Sequence, residues 1–126
     1  MKSIQLQLQR RDVPVRMMMQ VSIPVDAGNR AAQAGTSGST LPKILEAMKP
    51  EAAYFTATES GERGGFVVFD LKDTSEIQAI CEPFFLAFNA KVKLTPVMNP
   101  QDLAKAAPGI ASAVKQFGKA ASASGD

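Results

Sequence analysis

Few side chains in this 126-residue chain are equipped for chemistry, because it has no histidine, one cysteine and one tyrosine. Without an imidazole, Cys81 has no base to activate it as a nucleophile, and its place in an apolar helical stripe predicts a buried structural thiol. A metal site would rest on carboxylates alone, and none form a dense cluster, so no metal and no cofactor are expected. The remaining constellation is Tyr54, Asp70 and Lys93. A carboxylate in a half-apolar setting works as a base near neutrality when its pKa is raised, a phenol donates a proton, and an ammonium steadies a developing enolate. That set would suit a cofactor-free isomerase or oxygenase. The plainer reading is a cross-strand hydrogen bond between Tyr54 and Asp70.

Both residues lie in Ala52–Leu71, AAYFTATESGERGGFVVFDL, where two runs rich in aromatic and β-branched residues flank a polar, Gly-containing loop. This is the pattern of a β-hairpin. If Thr58 closes against Phe66 across residues 59–65, Tyr54 faces Asp70 and Thr56 faces Val68 on one side. Ala53 faces Leu71, Phe55 faces Phe69 and Ala57 faces Val67 on the other. The second set is apolar and is expected to pack on helices. Glu59, Glu62 and Arg63 read as a solvated loop at the rim of the first face, and Asp70, Lys72 and Asp73 as a solvated turn.

The elements that must hold this hairpin are also legible. In RMMMQVSIP (16–24), Met17, Met19, Val21 and Ile23 alternate with Met18, Gln20 and Ser22, predicting a first strand. Asp26 is a candidate cap for a helix. GTSGST (35–40) is too rich in Gly and Ser for a stable helix interior and predicts a loop or kink; it lacks the Walker pattern of a phosphate loop. Leu41, Ile44, Leu45 and Met48 then have helical spacing, and Lys49-Pro50 ends that helix. Asp73 or Thr74 caps the next, whose core stripe is Ile77, Ile80, Cys81, Phe84, Phe85 and Phe88, with Pro83 as a kink and Asn89 as a stop. Lys91–Val97 reads as an edge strand, protected by lysines and Pro96. A last helix over 101–117 presents Leu103, Ala106, Ala107, Ile110, Val114 and Phe117 on one side.

Composition bounds the rest. The content is 45% hydrophobic and 21% charged, ordinary for one globular domain. Residues 1–16 hold four basic residues against one acid, a net +3, leaving the other 110 or so near neutrality at −1. No basic face is implied, so nucleic acid is not an expected partner. No window has the roughly 18 continuous apolar residues of a membrane helix, and the start has no apolar signal region. One cysteine gives no disulfide framework and suits the cytoplasm. Ile4–Gln9 alternates, so residues 1–15 read as a flexible leader or an extra edge strand, 16–119 as the domain, and 120–126 as a disordered tail.

The order β-α-β-β-α-β plus a terminal helix is the ferredoxin-like α+β plan, with an antiparallel sheet in the order 4-1-3-2. Two helices cover one face. The other carries Gln20, Ser22, Tyr54, Thr56, Phe66, Val68, Asp70 and Lys93, too apolar to be simply wet and too polar to be a core. MMMQVSIPV, GGFVVFDLKD and AKVKLTPVMNPQD resemble small bacterial proteins of unknown function in the dimeric α+β barrel superfamily, over roughly residues 17–103. The resemblance implies a homodimer whose sheets face each other. It brings no catalytic residue across, since this chain has no histidine for haem and no Trp–Asn pair of the monooxygenase kind. The expected function is a small-molecule-binding or scaffold module with a cleft between facing sheets, accepting an apolar ligand and lined by the eight residues named above. The alternative is the enzyme using Asp70 and Tyr54.

Overall fold

The computed structural model describes residues 13–118; the expected leader or arm before them and the tail after them lie outside this span. Alternation in the first strand has the predicted outcome. In β1 (Val15–Ile23) Met17, Met19 and Val21 are buried, whereas Met18, Gln20 and Ser22 are half-buried on the other side. Helices α1 (Val25–Ala34) and α2 (Thr36–Met48) follow, then β2 (Ala52–Ala57) and β3 (Arg63–Leu71). A 3₁₀ turn, Thr74–Glu76, leads into α3 (Ile77–Phe88), which precedes β4 (Lys91–Pro96). The described residues close with α4 (Pro100–Lys105), α5 (Ala107–Ala113) and a π-helical turn, Val114–Gly118.

The four strands form one antiparallel sheet in the order β2-β3-β1-β4, which read from the β4 edge is 4-1-3-2. β1 and β3 are central, and β4, with its lysines and proline, is an edge. The core lies between the sheet and α1–α3. Met19, Phe69, Phe84 and Phe88 are its most deeply buried large side chains, with Ala31, Ile44 and Cys81 around them.

Several local expectations are corrected. Helix α1 begins one residue before Asp26, with Pro24 at the cap position and no side-chain cap; Asp26 sits in the first turn, where a negative charge meets the positive end of the helix dipole. Of the loop or kink expected at GTSGST, the structure has a break at its first residue and no loop. Gly35 alone breaks the helix, at φ 75°, and Thr36 already starts α2. Hydroxyls satisfy the backbone there, Thr36 Oγ1 donating to the Ala31 carbonyl and Ser39 Oγ to that of Thr36, both at 3.2 Å. Pro42 therefore falls inside the helix rather than in its first turn. In α3 Asn89 ends the helix in the left-handed region as expected, φ 52°, but Phe85 turns outward and only Cys81, Phe84 and Phe88 are fully buried.

The terminal helix is also not continuous. Asn99 and Asp102 form a reciprocal capping box at its start, 2.8 and 3.1 Å, and Pro108 then divides it. Its apolar stripe does not pack on the domain. Leu103, Ile110, Val114 and Phe117 are each more than half exposed, and the helices touch mainly one another.

Candidate functional site

The hairpin sets the site, and its register differs from expectation by four residues. Tyr54 pairs with Phe66, Phe55 with Gly65, and Thr56 with Gly64. The loop is only Glu59-Ser60-Gly61, closed by the Thr58 N–H donating to the Glu62 carbonyl at 2.7 Å, with Gly61 at φ 79°. This is a three-residue hairpin of the type that needs glycine in the left-handed position. Gly64 and Gly65 are thus strand residues. A Cβ on Gly64 would collide with the Val21 carbonyl and one on Gly65 with that of Tyr54, so close strand approach requires them. Because the shift is even, each residue keeps its predicted face.

The new register separates the expected acid–base pair. Asp70 lies opposite Arg16 of β1, and Tyr54 opposite Phe66, four residues away along β3. At about 3.3 Å per residue that is roughly 13 Å, beyond any shared proton transfer. Tyr54 is 67% exposed and has no resolved partner for its hydroxyl among the described residues. The helix-facing side in turn loses Phe55, which is 62% exposed.

What the helix-free face does assemble is a trough of about 700 Å³ at the hairpin end. Of the residues expected to line a cleft, Gln20, Ser22, Thr56, Phe66 and Lys93 border it, whereas Tyr54, Val68 and Asp70 do not. Ser22 donates to Glu62 Oε1 at 2.8 Å, and Ser60 donates to the same oxygen at 3.1 Å. Thr58 Oγ1 lies 2.9 Å from Ser60 Oγ and 3.1 Å from Ser22 Oγ, and accepts the Glu62 backbone N–H. Across the trough Lys91 stands opposite Ser22 and Lys93 opposite Gln20. Neither lysine has a carboxylate within ion-pair distance among the described residues.

Thr58, Ser60 and Lys91 were not anticipated as site residues, and Glu62 was expected only in a solvated loop at the rim. The signal for them is Gly61: taking it as the left-handed turn residue closes Thr58 on Glu62 and brings Glu62 toward Ser22. Chemically, the cluster is a hydrogen-bonding group rather than a nucleophile, because Ser22 donates to a carboxylate and the chain has no imidazole to accept and return the proton.

At the opposite end of the face, Arg16 ties three segments together. Its Nε donates to Glu51 Oε1 and its Nη1 to Asp102 Oδ2, each at 2.8 Å. The hydrogen bond to Glu51, then the charges of Glu51, Asp102 and Asp70, raise the guanidinium pKa against an opposing effect of burial. This is an anchor for the start of α4. On the helix side, burial and then the neighbouring Glu82 charge push the Cys81 thiol up, which keeps it protonated and unreactive. Among the described residues no three His, Cys, Asp or Glu side chains come together as a metal site, and no helix is long and apolar enough to cross a membrane.

The chain belongs to the family described as a domain of unknown function, DUF3303, whose profile matches residues 16–111. The family unit therefore takes in the sheet except its first residue, Val15, together with α1–α3 and most of the C-terminal arm. No match was found among curated proteins.

Proposed function

We propose that this DUF3303 domain is a cytoplasmic homodimer of the ferredoxin-like, dimeric α+β barrel kind, whose helix-free faces meet and enclose a cleft for a small molecule. One observation carries the reading: Met18, Phe66 and Val68 share a sheet face with Gln20 and Ser22, and no helix of the described residues packs along it. Half-buried apolar side chains in the middle of such a face fit a protein partner, and a twofold mate offering the same mixed face would match polar to polar and apolar to apolar.

Area decides which other element joins the interface. From strand spacing and rise, the sheet face measures about 20 by 20 Å, a flat footprint of roughly 400 Å². A stable interface takes about 800 Å² from each partner. The exposed stripe Leu103, Ile110, Val114 and Phe117, anchored at that face by Arg16, is the natural source of the remainder. Within the cleft, Lys91, Lys93 and the Ser22–Thr58–Ser60–Glu62 cluster would orient the polar end of an amphipathic ligand, with Phe66 against its apolar body.

Light scattering tests the dimer, and native mass spectrometry of the freshly purified protein tests the ligand. A dimer carrying a releasable small molecule agrees with the proposal. A dimer whose mass is that of two bare chains would reduce it to a scaffold, and a monomer would end it.

A further inference from the structure

We infer that the free edge of β2 is the seat of a fifth strand, supplied by residues 4–9 of the same chain, which precede the described span. The two edges of the sheet, β4 and β2, are built differently. β4 carries Lys91, Lys93 and Pro96, which discourage further pairing, whereas β2 (AAYFTA) has neither a charge nor a proline. The backbone of β2 is also set for a partner. The Thr58 N–H donates to the opposed Glu62 carbonyl, and bonded pairs recur at every second residue, so Thr56 and Tyr54 turn their N–H and C=O groups toward β3. Ala53, Phe55 and Ala57 therefore direct theirs away from the sheet. The Ala57 carbonyl accepts the Thr56 hydroxyl at 3.1 Å, and those of Ala53 and Phe55 have no such partner among the described residues.

Residues 4–9, IQLQLQ, match this edge in direction, length and face. Only residues 10–14 join them to β1, too short a link to carry the chain back along a strand, so the segment ends near Val15 and runs opposite to β1. That makes it antiparallel to β2 but parallel to β4, and antiparallel pairing is the stronger. A place beside Ala52 lies three strand spacings across and three residues along from Val15, roughly 17 Å, and the six steps from Gln9 to Val15 span about 20 Å. With Leu6 opposite Phe55, Ile4 and Leu8 fall opposite Ala57 and Ala53 on the helix side, along the apolar groove that Leu41, Phe55 and Phe88 line. Gln5 and Gln7 then fall opposite Thr56 and Tyr54, and Arg10 beside Glu51. A slip of one residue would set the leucines against the polar face instead.

Residue-resolved amide exchange by NMR on the full-length protein tests this, because β2 contains its own control. The Ala53 and Phe55 amides are expected to be protected in the wild type. Leu6→Pro removes a donor from the middle of the added strand and should speed their exchange about tenfold, the worth of one net hydrogen bond. Tyr54 and Thr56, bonded to β3, should exchange alike in both proteins. Position 6 precedes the family-matched residues 16–111, so the substitution leaves the domain folded. Ala53 and Phe55 amides that exchange in the wild type as freely as exposed ones would overturn the inference. So would protection that survives Leu6→Pro, which marks a different strand on this edge, or a fall in mass by light scattering in Leu6→Pro, which places the segment on a second copy.

Discussion

Gly61, at φ 79°, is the residue on which the hairpin geometry turns. No side chain meets it within 4 Å, so only its backbone conformation resists substitution. Gly61→Ala should therefore lower stability by about 1–2 kcal/mol in urea unfolding, the usual strain of a left-handed alanine. Gly65→Ala acts differently, because its Cβ meets the Tyr54 carbonyl and must push β2 away; a loss of about 1–3 kcal/mol is expected from forced packing. Cys81 gives a pH signature. Its pKa is raised in the folded chain, so above about pH 8.5 the unfolded thiol loses its proton while the folded one keeps it. Stability from this group is complete below that pH and declines above it. The melting-temperature advantage of the wild type over Cys81→Ala should accordingly shrink between pH 8 and 10; an unchanged gap would contradict the burial argument.

Elements divide into those whose sequence states their packing and those whose sequence states only their face. Alternation in β1 and β3 gave both the strands and their buried sides, since Met17, Met19, Val67 and Phe69 leave no other face for the helices. Alternation could not give the hairpin register. A four-residue shift leaves every face unchanged, so the turn alone decides, and Gly61 rather than Gly64-Gly65 is its left-handed residue. Hence the faces of Tyr54 and Asp70 were legible but their distance was not. GTSGST misled for a related reason: low helix propensity in Thr36–Thr40 is overridden by hydroxyl-to-carbonyl bonds and by the packing of Leu41 and Ile44 on the core. At α4 the capping box was legible only as a turn at Asn99-Pro100. Asn99→Ala should weaken α4 by about 1 kcal/mol, seen as faster amide exchange across 100–105 with β1 and β3 unaffected. Slowed or unchanged exchange there would contradict the capping role.

At the scale of the molecule, one sheet separates two environments. The helix side is a packed core with an apolar groove beside β2. The other side is a mixed face with a polar cluster at one end and the Arg16 anchor at the other, from which an unpacked helical arm departs. A sheet face and an arm that no described residue covers would both be buried by the proposed second copy. Val68 lies in the middle of the face, opposite Met18, with its side chain away from the core. A carboxylate there would be buried without a partner in the proposed interface but faces water in a monomer. Light scattering on wild type and Val68→Glu therefore tests the proposed dimer most directly. A wild-type mass of twice 13.4 kDa and a folded variant at 13.4 kDa are expected; a wild type that stays at 13.4 kDa across the concentration range would rule the dimer out.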